Sequence, residues 1–361
     1  MDWEFQLPTK IVFGRGSFSR VWENVDRKKV LLVTGKSGFR EHTIGRIRKQ
    51  LSNVELTIYD GVEPNPTYQN VDGGAALIEN KGCELVIALG GGSAIDAAKL
   101  MACIAVNKGK AYEYAFQGKK IEKKGLPLIA IPTTAGTGSE VTPFAVISDR
   151  EKKLKAPVRN RYLFPKVAVI DPELTASMPV GLTANTGADA LAHALEALWS
   201  KKAQPLTDYL ALRAVKIIFE NLKKACDEPK NMDVREEMCL ASLLAGIAIS
   251  NVSIGAAHAI SYPLTTHFGI AHGNACSLTL PDVMEFNALR SEKINRITPL
   301  YGPERLRELF GEVGLKTKLS EFGIKREDIP LIADGVLISR LEVNIVEMRK
   351  EDVVVILNKI L

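Results

Sequence analysis

The stretch Glu84-Leu85-Val86-Ile87-Ala88-Leu89-Gly90-Gly91-Gly92-Ser93-Ala94-Ile95-Asp96 decides the fold of the first half of this chain. Its apolar run predicts a buried parallel strand, its three glycines predict a tight turn, and residues 97–106 predict a helix. Glycines let the backbone approach a phosphate, and the N-terminus of the following helix provides N–H groups and a positive dipole. The pattern is typical of an anion-binding turn, with a plain strand-to-helix turn capped by Ser93 as the alternative.

Further apolar runs alternate with helical segments through the rest of this half. Strands are predicted at 29–34, 55–59, 126–131 and 167–170, and helices at 41–51 and 68–81. This alternation predicts a doubly wound α/β fold that binds ligands at the carboxyl ends of its strands. The glycines and hydroxyls of residues 132–140 (PTTAGTGSE) suggest a second ligand-binding loop, and two such loops suggest a dinucleotide. An ordinary surface loop is the alternative for the second cluster.

The pattern changes after Pro179-Val180-Gly181, where strand signals nearly vanish. Segments with helical periodicity follow at 183–199, 205–224, 234–251, 303–310 and 351–361. We therefore predict two domains: an α/β dinucleotide-binding domain over residues 1–181, and an all-helical metal-binding and substrate domain over residues 182–361.

The composition limits the classes of protein to which this chain can belong. The net charge of +5, from 47 basic and 42 acidic residues, calls for neither a nucleic acid nor a membrane partner. Five cysteines, an odd number without a C-x-x-C pair, indicate reduced thiols, and acidic residues near the start argue against a signal peptide. Both features favour a cytoplasmic protein. The segment Leu240–His258 is long enough to span a membrane, but its polar interruptions favour a buried helix.

The histidines are unevenly placed. Four of the five lie between 193 and 272, and Met238–Pro281 contains no Asp, Glu, Lys or Arg, which indicates burial. His258 and His272 lie in this charge-free stretch, and Pro263 and Gly269 between them are predicted to turn the chain.

These residues suggest a metal site. Asp189 and His193 are four residues apart in a predicted helix, so both side chains lie on one face. Neutral imidazoles in an apolar setting, such as those of His258 and His272, bind divalent transition metals well. One aspartate and three histidines would complete a four-ligand site with room for a substrate oxygen. For each histidine taken alone, an ordinary core position is the alternative.

The chain resembles the iron-containing, or group III, alcohol dehydrogenases over nearly its whole length. The motifs that carry the resemblance agree in order and spacing: Pro64-Asn65-Pro66, Gly90-Gly91-Gly92-Ser93 with Asp96, Pro132 through Glu140, Gly187 through His193, and His258 through Gly273. The resemblance implies a Rossmann-like N-terminal domain and a helical C-terminal domain, with a cleft for nicotinamide and a ferrous or zinc ion. It also implies a homodimer.

The resemblance assigns residues position by position. Asp189, His193, His258 and His272 match the four metal ligands of the family. The positions that would line the cofactor are Gly91, Gly92, Ser93, Asp96, Thr133, Thr134, Thr142 and Lys155.

This chain departs from the family pattern at two places. Many members carry a proton-relay histidine four residues after the third ligand, where this chain has Tyr262; His267, five residues further on, is the other candidate for catalysis. NAD-preferring members often carry an aspartate after an early strand, where this chain has Gly35-Lys36-Ser37-Gly38. A lysine and a small hydroxyl suit the 2′-phosphate of NADP(H), which we expect to be preferred over NAD(H).

The expected function is hydride transfer between nicotinamide and a small alcohol, diol or aldehyde, with the ion as Lewis acid. Glycerol or polyol dehydrogenases and the lyase 3-dehydroquinate synthase share the two-domain plan, but the lyase needs more basic residues for its phosphorylated substrate. A non-catalytic nucleotide-binding module is the alternative of another class. About one bound ion per chain would favour the enzyme.

Overall fold

The computed structural model describes residues 2–35 and 40–361, without the side chains of residues 40 and 41. It divides into two compact units, one of Leu7–Thr134 and Ser139–Ser177, the other mainly of Met178–Leu361 with the short segment Ala135–Gly138. The first is the α/β unit and the second is the helical unit. The predicted division at residue 181 stays a prediction.

The α/β unit is built on a six-stranded sheet in which every pair is parallel. Its strands, in the spatial order β1-β8-β5-β4-β2-β3, are β1 (Lys10–Phe13), β2 (Lys29–Gly35), β3 (Glu55–Val62), β4 (Leu85–Gly90), β5 (Leu128–Pro132) and β8 (Val167–Ile170). Helices α1 (Arg40–Gln50), α2 (Tyr68–Lys81), α3 (Gly92–Asn107) and α4 (Ala111–Phe116) belong to the same unit. The predicted doubly wound fold is confirmed.

Both faces of the sheet are covered, which explains the unbroken apolar runs. Along β2, Leu31 and Val33 join one buried cluster, while Val30 and Leu32 join another. Successive side chains of a strand point to opposite faces, so a strand buried on both sides is apolar at every position. The sequence analysis did not predict the short edge strand β1, or the antiparallel hairpin of β6 (Phe144–Asp149) and β7 (Leu154–Arg159).

The helical unit has α5 (Val180–Leu198) at its centre, in contact with α6 (Pro205–Asp227), α7 (Met232–Asn251) and α9 (His272–Ala288). It continues through α8 (Ala256–Phe268), α10 (Glu292–Asn295), α11 (Thr298–Tyr301), α12 (Pro303–Glu312), α13 (Ile329–Asp334), α14 (Ile338–Leu341) and α15 (Lys350–Lys359). Every residue from Gly187 to Leu198 is buried, because alanine and leucine fill most of this stretch of α5.

One predicted turn is wrong. Pro263 lies inside α8 and is buried, and a Cβ at Gly335 would lie 2.9 Å from the Cβ of Pro263, so tertiary packing holds the helix through the proline. The chain turns only at Gly269, whose φ of 68° ends α8 in the left-handed conformation.

The membrane candidate Leu240–His258 does not form one helix. Among the described residues no single helix is long and apolar enough to cross a bilayer, and α7 and α8 pass by length and composition only when taken together across a bend of 106°.

Candidate metal centre

Helix α5 presents three buried polar side chains on one face. Asp189, His193 and Glu196 follow one another at spacings of four and three residues, which brings them to the same side of the helix. The other residues between Gly187 and Leu198 are glycine, alanine or leucine. Helix α5 therefore carries a carboxylate, an imidazole and a second carboxylate into the apolar interior of the unit.

Three imidazoles converge on one oxygen of Asp189. The Oδ1 atom of Asp189 lies 3.4 Å from Nε2 of His258, 3.6 Å from Nε2 of His272 and 4.0 Å from Nε2 of His193. Ligands held about 2.1 Å from one metal ion in a tetrahedral site lie about 3.4 Å from each other. The three distances to Asp189 Oδ1 therefore suit donors that share one divalent ion, and the assignment of all four residues as its ligands stays a prediction.

Two buried atoms that lie 3.4 Å apart at this centre have no hydrogen-bond partner in the described residues, and Nδ1 of His193 is a third such atom. The two atoms are Asp189 Oδ1 and His258 Nε2. An unpaired buried polar atom costs about 1–3 kcal/mol, and a bound cation would remove this cost by accepting both lone pairs. The donor set therefore fits the metal that the sequence predicts.

The surroundings of Asp189 and His193 favour the protonation states in which these two groups bind a cation. Burial alone would raise the pKa of Asp189, but His193, His272 and His258 together hold it below its usual range. Burial lowers the pKa of His193 and outweighs the attraction of Asp189. An ionised carboxylate and a neutral imidazole are the protonation states that ligate metals.

Glu196 supports His258 from behind, and the sequence analysis missed it. Its Oε2 lies 2.5 Å from Nδ1 of His258, and its Oε1 accepts a hydrogen bond of 2.7 Å from the backbone N–H of Ala257. Burial opposes charge on His258, yet Cys276 and Glu196 raise the pKa of this histidine well above its ordinary value. Because the Glu196 carboxylate binds Nδ1 of His258, the Nε2 atom of His258 faces Asp189. In the sequence, the signal for Glu196 was its position three residues after His193 in an apolar helix.

Cys276 also belongs to the cluster and was missed. The ligand atoms of Asp189, His258, His272 and Cys276 all lie within 4.8 Å of one another. Cys276 follows His272 by four residues on α9, so the two side chains share a helix face. This i, i+4 spacing was the available signal.

The two catalytic candidates occupy different places on α8. Tyr262 is buried one turn after His258, with its ring centroid 6.3 Å from that of His272. His267 is half-buried in the last turn of α8, and its ring contacts Phe268 at a centroid distance of 6.4 Å.

The glycine loop forms the predicted strand-to-helix turn. Helix α3 begins at Gly92 with Gly91 as its N-cap, so the alternative of a Ser93 cap is wrong. The Ser93 hydroxyl instead accepts a hydrogen bond of 3.2 Å from the backbone N–H of Asn65. A Cβ at Gly91 would lie 3.2 Å from Oγ1 of Thr134, so the absence of a side chain lets the two predicted loops approach each other.

Several predicted cofactor residues have partners inside the α/β unit. The Asp96 carboxylate accepts hydrogen bonds from Ser139 Oγ at 2.5 Å and from the backbone N–H of Val146 at 2.9 Å. Lys155 Nζ donates to Asn65 Oδ1 at 3.1 Å. The backbone N–H of Thr133 donates to the carbonyl oxygen of Gly90 at 3.0 Å.

A buried lysine, which the sequence analysis did not assign, connects α3 to the segment after β5. Lys99 is 1% exposed, and its Nζ donates to the carbonyl oxygen of Phe144 at 2.7 Å, to Ser139 Oγ at 2.8 Å and to Thr142 Oγ1 at 3.2 Å. Burial lowers the pKa of Lys99 to about 8. The predicted residue Thr142 is therefore held by Lys99. Gly35 ends β2, whereas Lys36 and Ser37 lie outside the described residues.

Comparison with known proteins gives consistent findings. A family model described as iron-containing alcohol dehydrogenase matches residues 8–172, and one described as the C-terminal part of the Fe-containing alcohol dehydrogenase family matches residues 183–361. Alcohol dehydrogenase 4 of Saccharomyces cerevisiae is 36% identical, with 98% of this chain and 97% of the yeast protein covered. The 1,3-propanediol dehydrogenase of Klebsiella pneumoniae is 35% identical, with 92% of each covered. The crystal structure of sulfoacetaldehyde reductase from Bifidobacterium kashiwanohense, in complex with NAD+, superposes with a TM-score of 0.93 at 34% identity, covering 100% of this chain and 99% of the other.

Proposed function

Because this chain belongs to the iron-containing alcohol dehydrogenase family, we propose that Asp189, His193, His258 and His272 hold the divalent ion of its active site. The enzyme transfers a hydride between a nicotinamide cofactor and a small alcohol, diol or aldehyde. The observation that carries the ligand assignment is the convergence of three imidazole nitrogens on the unpartnered Oδ1 of Asp189.

The residues have separate tasks in this function. A divalent ion bound here supplies Lewis acidity toward the substrate oxygen, and the nicotinamide carries the hydride. Asp189 contributes negative charge to the site, and Glu196 orients the ring of His258. His258 and His272 lie in the charge-free stretch Met238–Pro281, most of which is buried. Surroundings of low polarity strengthen electrostatic interactions and suit a small, rather apolar substrate.

Metal removal tests the function directly. Enzyme treated with a chelator should lose turnover of short aldehydes and diols with NADPH, and Fe²⁺ or Zn²⁺ should restore it. Asp189→Ala should lose both the bound metal and the activity, whereas Asp227→Ala removes only an exposed ion pair with Lys223 and should keep both. Full activity and metal content in Asp189→Ala would overturn the ligand assignment.

We propose NADP(H) as the preferred cofactor. Lys36 and Ser37 follow the early strand without an acid before Glu41, and a lysine attracts a 2′-phosphate that an aspartate would repel. The ratio of kcat/KM for NADPH over NADH should exceed one, and Lys36→Asp should lower it. A preference of the wild type for NADH of about tenfold or more, equal to about 1.4 kcal/mol, would overturn this choice.

The positions of the two loops support our proposal that the other predicted residues bind the nicotinamide cofactor. Gly91, Gly92, Ser93, Thr133 and Thr134 lie on the two loops that follow β4 and β5, at the carboxyl ends of neighbouring parallel strands. This edge is where open α/β sheets bind ligands. Asp96 holds the second loop through Ser139, and Lys155 holds Asn65, whose backbone N–H donates to Ser93 of the first loop. Thr142 is bound by Lys99, which also binds Ser139.

We assign the proton relay to Tyr262 rather than to His267. Tyr262 follows the ligand His258 by one turn, and its ring lies near that of His272, whereas the ring of His267 contacts Phe268. Tyr262→Phe should lower kcat and change its pH profile, and His267→Gln should leave both unchanged. The reverse result would assign the relay to His267.

We also propose that the enzyme works as a homodimer in the cytoplasm. All five cysteines are free and buried, which suits a reducing compartment. The family resemblance supports the dimer, and light scattering of the purified enzyme should give the mass of two chains. A mass of one chain would overturn it.

A further inference from the structure

We propose that Cys276 is a further metal ligand, whose thiolate makes this centre select zinc over iron. The inference rests on the metal-binding function proposed above. Its basis is that Sγ of Cys276 lies within 4.8 Å of the ligand atoms of Asp189, His258 and His272, all of which also lie within 4.8 Å of each other. Cys276 is fully buried one helical turn after His272, so α9 presents a thiol and an imidazole to the same point.

The surroundings of this thiol distinguish it from a cysteine that fills space in a core. Asp189 Oδ1 and His258 Nε2, two members of the same group, are buried and lack hydrogen-bond partners in the described chain. Cys276 itself interacts with the side chains of His258 and Ser261, whereas Cys103 in the α/β unit interacts with a backbone group, the carbonyl oxygen of Tyr162 at 3.5 Å. The thiol of Cys276 therefore lies beside the carboxylate and imidazole atoms that a bound cation would satisfy together.

The chemistry of the donor set determines which ion it prefers. Soft thiolate ligands favour zinc, whereas an aspartate with histidines alone also suits ferrous iron. When the metal binds, the thiol loses its proton to solvent and a sulfur–metal bond forms, with no change in oxidation state. The two anionic groups, Asp189 and Cys276, then balance the charge of a divalent ion, which strengthens its retention.

His193 stays part of the centre in this arrangement. Its Nε2 lies 4.0 Å from Asp189 Oδ1, the longest of the three imidazole distances. Zinc accepts four ligands and expands to five. Four protein donors and a substrate oxygen fill such a shell, so one of the five donors gives way when substrate binds, and His193 is the most distant of the histidines from Asp189.

Metal competition tests this inference. Metal-free enzyme is offered equal amounts of Fe²⁺ and Zn²⁺ without oxygen, and the bound ions are counted by elemental analysis. The wild type should retain mostly zinc, and Cys276→Ala should lower the zinc-to-iron ratio by about tenfold or more, as a lost ligand interaction does. Cys226→Ala is the matched control, because Cys226 is a buried cysteine of the same unit outside the cluster, and it should behave as the wild type. An unchanged ratio in Cys276→Ala would overturn the inference.

A spectroscopic measurement on the wild type removes any dependence on the folding of a variant. Enzyme loaded with Co²⁺ should show the intense near-ultraviolet absorption that a thiolate bound to cobalt produces, and Cys276→Ala should lack it while Cys226→Ala keeps it. If cobalt binds and supports turnover without this absorption, Cys276 is not a ligand but the proposed function stands. If no metal binds to the wild type, the proposed function fails together with this inference.

Discussion

The Nδ1 atom of His258 lies 2.5 Å from Oε2 of Glu196, while Nε2 of the same ring lies 3.4 Å from Oδ1 of Asp189. The imidazole thus sits between two carboxylates that both come from α5. One carboxylate is placed to share a metal ion with the ring, and the other fixes the orientation of the ring. Glu196 also accepts hydrogen bonds from the backbone N–H groups of Gly255 and Ala257, so it holds the start of α8 against α5.

Replacing Glu196 by glutamine should weaken metal binding by about 10–100-fold, because an outer carboxylate fixes the ring of its histidine and raises its basicity. Titration against a competing chelator measures the dissociation constant. Glu220→Gln is the control, since Glu220 is exposed and forms an ion pair with Lys216 at 3.8 Å on α6. Equal affinities of both variants and the wild type would show that Glu196 only packs the helices.

Replacing Gly273 by alanine should destabilise the helical unit and weaken the metal site. A Cβ there would lie 1.8 Å from the backbone oxygen of Asn185, so α9 would have to move away from α5, which carries Asp189. Such overpacking costs about 1–3 kcal/mol or more. The midpoint of thermal unfolding and the metal content should both fall. Gly311→Ala, in open space on α12, should be neutral or slightly stabilising, and an equal effect of both would contradict this explanation.

Glu140 should make stability depend on pH in a defined window. Burial raises the pKa of Glu140 from 4.5 to about 7, against the opposing charge of Lys99. Between these values the folded protein binds more protons than the unfolded chain, so stability falls as pH rises through the window. Glu140→Gln should match the wild type near pH 4 and exceed it by about 3 kcal/mol near pH 8.

Unfolding by urea at several pH values measures this difference. The exposed residue Glu151, replaced by glutamine, provides the control and should leave the pH dependence of the wild type unchanged. A constant difference between Glu140→Gln and the wild type from pH 4 to pH 8 would contradict the buried, protonated state of Glu140.

Lys99→Met should loosen the segment that carries Thr142. It leaves the acceptors Ser139 Oγ and Phe144 O without their buried donor, and each such loss costs about 1–3 kcal/mol. We expect a lower unfolding temperature and a higher KM for the nicotinamide. Lys108→Met removes an exposed ion pair with Glu79 and should change neither. A normal KM in Lys99→Met would confine Lys99 to a role in stability.

The sequence predicted much of the sheet and the long helices because their signals are local. Strands β2, β4 and β8 are apolar at nearly every position because both faces of the sheet are buried. Helices α6 and α7 show helical periodicity because they are buried on one side or in the core. Strands β1 and β7 escaped prediction because they are short and only partly buried, and β6, although mostly buried, was missed because Ser148 and Asp149 interrupt its apolar run. Pro263 misled the prediction because packing against Gly335 outweighs the cost of a proline inside α8.

The sequence by itself determined the element types, the glycine turn after β4, and the pairing of Asp189 with His193, since each depends on neighbours a few residues apart. Only the tertiary structure decided that α8 and α9 bring His258 and His272 to Asp189, and that Glu196 and Cys276 join them. The physical reason is that the spacing along a helix sets which face a residue occupies, whereas the distance between atoms on different helices depends on how those helices pack.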